Sequence, residues 1–163
     1  MPKQVPRAGA RRMHNLFNTE IAEISISYST NVRAMDRVKV VTSQAAFEIF
    51  SAVWPSFEHI EYAYVMLLNR SNRLLGVKQL SMGGISGTVI DPKIVFQTAL
   101  KANASCIILA HNHPSGEIVP SEQDNSLTAK LKSAGEFLDL PLLDHLILTQ
   151  DKYFSYKDEG RIL

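Results

Sequence analysis

Two histidines one residue apart, His111 and His113, stand where an apolar run ends, and Ser121 and Asp124 follow in the stretch 109-LAHNHPSGEIVPSEQD-124. Two imidazoles and one carboxylate make a three-ligand zinc set with the fourth coordination position left for water. Water held this way ionises near neutral pH and supplies hydroxide as a nucleophile. The same letters also admit a structural reading. Ser-x-x-Asp ahead of an apolar helix is a capping box, and His-Asn-His-Pro can serve as a polar turn.

A metal site requires elements that bring these groups together. The run 105-SCIILA-110 is apolar on both faces, as a central strand should be. Alternate residues of an extended strand point to one side, so His111 and His113 project together from its carboxyl end. In α/β proteins that end is where ligands bind. Pro114 stops the strand and Ser115-Gly116 turns the chain. A helix predicted over 121–137, with Leu127, Leu131 and Ala134 on one face, carries Asp124 one turn in, where it can face back to the strand end.

The remaining elements frame this pair. Alternation predicts a strand over 21–28, and Ser43 is placed to cap a helix over 43–52 that Pro55 closes. Strands over 61–69 and 74–82 flank a turn at 70–73, followed by the glycine-rich loop 83-GGISGT-88. Asp91-Pro92 opens a helix over 93–103. Strands over 142–149 and 153–156 complete the chain. Strands alternating with helices after a hairpin give an α/β domain with a mixed sheet covered by helices, not an all-parallel one.

Composition narrows the classes of function. With 163 residues, 45% hydrophobic and 20% charged, the chain suits one globular domain with its own core. A net charge of +1 creates no overall field directed at nucleic acid or membrane. Cys106 is the only cysteine, which excludes an internal disulfide and a cysteine-rich zinc knuckle. No apolar run approaches the ~20 residues of a membrane span, so no membrane association and a cytoplasmic location are expected. Lys3, Arg7, Arg11 and Arg12 make residues 1–19 a basic tail, read as an ordinary terminus rather than an arm for nucleic acid. The domain proper is assigned to 20–163. A homodimer is compatible with the sequence.

The pattern His-x-His-Pro, six residues, Ser, two residues, Asp resembles that of the JAB/MPN (JAMM) metallohydrolases. Together with 143-LDHLIL-148, 64-YVMLLNRSNRLLG-76 and 91-DPKIVFQTALKANA-104, it is similar to the RadC branch of that family over about residues 30–163. Many members carry a helix–hairpin–helix region ahead of this domain, and residues 1–30 are too short to hold one. The resemblance implies a JAB1/MPN-like (cytidine deaminase-like) fold, a mixed β-sheet sandwiched by helices. It implies Zn²⁺ on His111, His113 and Asp124, with Ser121 near the oxyanion that forms on the substrate. It also implies a glutamate just before a strand that handles the proton of the metal-bound water. Glu61 matches that position, and Glu58 is its rival. The activity implied is hydrolysis of a peptide or isopeptide bond in a peptide or protein substrate. A DNA-repair-associated or non-catalytic metal-binding module is the alternative.

Other residues have plainer readings. The 83–88 loop lacks the Gly-Lys-Ser/Thr ending of a phosphate loop and reads as a turn bordering the groove. Asp144-His145 could add a ligand or a partner behind the ligands, but reads as a strand-start aspartate beside a packed histidine. Cys106 reads as a small buried hydrophobe, Tyr62 and Tyr64 as packing residues, and His14 and His59 have no partner set. A nucleobase deaminase needs a Pro-Cys-x-x-Cys pair that one cysteine cannot supply.

Overall fold

The segment Cys106–Asn112 is buried at every position, and its neighbours in space explain why. A computed structural model describes residues 32–84 and 87–162 of the chain. The strand predicted over 21–28 and the basic tail lie outside the described residues. After a 3-10 turn at Ala34–Asp36 come helix α1 (Ser43–Val53), strands β1 (Tyr62–Leu68) and β2 (Leu74–Met82), and helix α2 (Pro92–Lys101). Then follow β3 (Cys106–Asn112), helix α3 (Glu122–Phe137), β4 (Leu142–Leu148) and β5 (Tyr153–Ser155). The sheet order is β2-β1-β3-β4-β5. Only β3 and β4 run parallel among these neighbours, with α3 as the crossover; the other pairs are antiparallel. This is the mixed, helix-covered sheet that the alternation of elements implies.

Local chemistry sets the boundaries. Thr42, not Ser43, caps α1, its hydroxyl accepting from the Ala45 amide at 3.1 Å. The Ser43 hydroxyl turns instead to Tyr153 and Asp158. Asp91 caps α2 by accepting from the Lys93 amide, and Pro92 fills the first helical position, where a missing N–H costs nothing. In the β1–β2 turn the Asn69 side chain accepts from the Ser71 and Arg73 amides, and Asn72 takes a positive φ of 56°. β3 runs two residues past its predicted end and takes in His111 and Asn112.

The twofold alternation of strand side chains sorts the apolar residues onto two faces. On one face Val65, Leu67, Ile107, Leu109 and Ile147 pack with Val95, Phe96 and Ala99 of α2 and Leu131 of α3. On the other, Tyr64, Met66, Leu68, Ile108, Ala110, Leu146 and Leu148 pack with Ala46 and Phe50 of α1 and with Trp54. Tyr64 and Trp54 lie ring to ring, with centroids 4.6 Å apart, and Cys106 is buried in the same cluster. Helix α3 approaches the chain at its own exit so closely that a Cβ on Gly135 would lie 2.6 Å from the Leu140 carbonyl oxygen. Among the described residues no helix is long and apolar enough to cross a membrane.

Candidate metal centre

Antiparallel pairing of β1 with β3 places the start of one strand beside the end of the other. Ala63 stands opposite His111, so Glu61, two residues earlier, reaches the face and sheet end that His111 occupies. The chain of β3 then continues to His113, whose amide donates to the Leu148 carbonyl at 3.1 Å. Across the turn, α3 begins with Ser121 as its N-cap. The sequence-predicted residues Glu61, His111, His113, Ser121 and Asp124 line one cavity of about 540 Å³, with Thr88, Val89, Ile90 and Leu127 on its walls. Glu58, the rival of Glu61, stays at the surface, 70% exposed and paired with His59 at 3.5 Å, and is not among the residues lining the cavity.

The capping-box reading of Ser-x-x-Asp is realised, and the same carboxylate also borders the histidines. Asp124 Oδ2 accepts from the Ser121 amide at 2.7 Å and from its hydroxyl at 2.6 Å, while the Asp124 amide donates to Ser121 Oγ at 3.1 Å. That is a complete capping box. The other oxygen, Oδ1, lies 3.1 Å from His111 Nε2. The carboxylate thus closes the helix start with Oδ2, which also lies nearest His113, and faces His111 with Oδ1.

The donor set suits a small cation. His111 Nε2 and His113 Nε2 are 3.0 Å apart, and His113 Nε2 is 3.6 Å from Asp124 Oδ2. Zinc bonds of 2.0–2.1 Å in a tetrahedron require ligand atoms about 3.3 Å apart, within the span of these separations. His113 Nδ1 is 2.9 Å from the Glu117 carbonyl oxygen, which can only accept, so the ring proton sits on Nδ1 and the Nε2 lone pair faces the cavity. A carboxylate and an imidazole lone pair converging at this range need positive charge between them. Glu61 Oε1 stands farther off, 3.9 Å from His111 Nε2. Glu61, His111 and His113 also form a group compact enough to hold an ion, so Glu61 can enter the coordination sphere or reach a water beside it.

The local field follows from burial and these contacts. Burial alone would raise Asp124, but its bonds to His111, His113 and Ser121 outweigh it and hold the carboxyl well below the usual range. Burial raises the Glu61 carboxyl, and the neighbouring histidines only partly offset this. The bond to Asp124 raises His113, against the effect of burial.

Two polar residues of apolar strands, Asn112 and His145, support the site without lining its cavity. Asn112, fully buried between the two histidines in sequence, points to the opposite face. Its Oδ1 accepts from the Tyr62 amide at 2.7 Å, and its Nδ2 donates to the Ile60 and Phe57 carbonyls at 3.0 and 3.2 Å. These bonds fasten the backbone on both sides of Glu61. His145, read from the sequence as a packed histidine, is buried with Nε2 2.8 Å from His111 Nδ1 and Nδ1 2.6 Å from Thr128 Oγ1. Burial holds it well below the usual imidazole range. Its neighbour Asp144 turns away to accept from Ser155 Oγ and from the His145 and Lys157 amides. The signal for these residues was present in the sequence: a polar side chain inside an apolar strand must find a partner.

Comparison with known proteins places the chain among a defined set of relatives. A sequence model of the family described as RadC-like JAB domain matches residues 40–161. A UPF0758 protein of Flavobacterium johnsoniae is 47% identical over 122 residues, which are 75% of this chain and 53% of that protein. A UPF0758 protein of Porphyromonas gingivalis is 39% identical over 144 residues, 87% of this chain and 63% of the relative. A third, from Thermotoga maritima, is 32% identical over 165 aligned positions, covering 88% of this chain and 74% of the relative. The chain spans about half the length of the first of these relatives.

Proposed function

The chain belongs to the family of RadC-like JAB domains, and on that premise we propose that it is a zinc-dependent hydrolase of a peptide or isopeptide bond in a protein substrate. The observation that carries this reading is the convergence of His111 Nε2, His113 Nε2 and Asp124 Oδ1, with separations of 3.0 and 3.1 Å from the first to the other two, in a cavity that Glu61 also lines. When bound, zinc supplies Lewis-acid activation of a carbonyl and of a water molecule. Glu61 is the group of suitable chemistry beside it. Its carboxylate takes the proton of the attacking water and delivers it to the leaving amine, and a raised proton affinity favours the first of these transfers. Asn112 and the Gly83 amide, which donates to the Glu61 carbonyl at 2.8 Å, hold the segment bearing this carboxylate still. The Ser121 hydroxyl is engaged with Asp124, so its support of a developing oxyanion requires that bond to be exchanged for one to substrate.

Metal analysis of the protein purified without added zinc tests the site: one equivalent is expected, and its loss in His113→Ala. Glu61→Gln is expected to keep the zinc and lower turnover on peptide and isopeptide substrates by about 10²–10⁴-fold. Zinc retained in His113→Ala overturns the ligand assignment. Full zinc with an inert wild type across the substrate panel makes the domain a metal-holding module instead.

A further inference from the structure

The hydrogen bonds behind His111 form a chain whose direction can be read from its far end. Thr128 Oγ1 lies 2.6 Å from the Asp124 carbonyl oxygen, an atom that only accepts, so the single hydroxyl proton points there. At 2.6 Å from His145 Nδ1 the same oxygen must then accept, which puts a proton on His145 Nδ1. His145 is 0% exposed and stacks on Tyr156 with ring centroids 5.0 Å apart, so its ring sits between Thr128, His111 and an aromatic face. With Nδ1 protonated, Nε2 of the neutral ring carries the lone pair, and at 2.8 Å His111 Nδ1 donates to it. The reverse direction would leave Thr128 Oγ1 and the Asp124 carbonyl as two bare acceptors at 2.6 Å, a repulsive contact.

We propose that His145 and Thr128 are positioning residues that fix His111 with its proton on Nδ1 and its Nε2 lone pair turned to the cavity. The proposal rests on the metal reading above for its purpose, though not for its geometry. The chain leaves one ligand through its ring and returns to another through its backbone, since the carbonyl at its end belongs to Asp124. It ties β3, β4 and α3 together at the point where their side chains converge. Hydrogen-bonded partners of this kind orient metal-binding imidazoles, and their removal costs about 10–100-fold in affinity.

Nitrogen-15 NMR of histidine-labelled, metal-free protein in alkaline buffer reads the ring proton of His111 directly, with no need for metal or turnover. Wild type is expected to show it on Nδ1. Thr128→Val, which removes the hydroxyl at nearly constant volume, is expected to mix the two ring forms and weaken zinc about 10–100-fold in a chelator competition. Thr128→Ser should restore both readouts. A wild-type His111 with no proton on Nδ1, or a Thr128→Val protein unchanged in both measurements, overturns the proposal. Should Thr128→Val fail to fold, the wild-type spectrum still decides the ring form. A wild type that binds no zinc but keeps the Nδ1 proton supports the positioning chain and removes the metal reading alone.

Discussion

At the scale of single residues, the site is a contest over protons. In the metal-free protein His113 is raised above its ordinary value of 6.5 by Asp124, and Glu61 above 4.5 by burial. A group whose folded value is raised contributes stability that is present in full below its unfolded value and lost as pH climbs through the folded one. Asp124 acts with the opposite sign, its contribution disappearing only as pH falls below its ordinary 3.8. Metal-free protein is therefore expected to melt at falling temperature as pH rises above about 6.5. Zinc needs the unprotonated imidazole, so its stabilisation grows over the same interval and should flatten or invert that slope. Melting curves with chelator and with zinc, across pH, check this; parallel profiles would count against shared groups.

At the scale of elements, α3 is constrained at both ends, by the capping box at its start and by close backbone contact at its exit. Gly135→Ala gains about 1 kcal/mol of helix propensity. It also drives a Cβ to within 2.6 Å of the Leu140 carbonyl oxygen, backbone that cannot step aside cheaply. The clash is expected to win, with a net loss of about 1–3 kcal/mol in urea unfolding. Gly76→Ala in β2, with nothing within 4 Å of the added carbon, should be close to neutral. The same elements show what the sequence made legible. The pairs His111/His113 and Ser121/Asp124 could be read because each lies within one local repeat, i to i+2 on a strand and i to i+3 at a helix start. Glu61 came only through family resemblance, since nothing local distinguishes it from Glu58. His145 could be weighed as a partner behind the ligands but not chosen over a packed histidine, and Thr128 and Asn112 were not legible as parts of the site, because the partners lie 34, 17 and about 50 residues away and meet only in the folded chain. The cap of α1 was misplaced by one residue because Thr42 and Ser43 are chemically equivalent candidates.

At the scale of the whole molecule, one sheet separates two cores, and the candidate site belongs to the α2/α3 side. Phe50, fully buried against the other face, should cost about 3–5 kcal/mol when changed to Ala, a large share of a domain's total stability. Folded Phe50→Ala is nevertheless expected to bind zinc as wild type does, since none of the described cavity-lining residues is a member of that core; urea titration and chelator competition measure the two separately. The hairpin turn at 70–72, pinned by Asn69, lies at the other tip of β1 from Glu61, roughly 20 Å away along seven residues of strand. That distance makes the turn a convenient handle. A fluorescent dye, a surface tether or newly cut chain ends introduced there would sit a full strand's length from the ligands, leaving the chemistry at the opposite rim undisturbed.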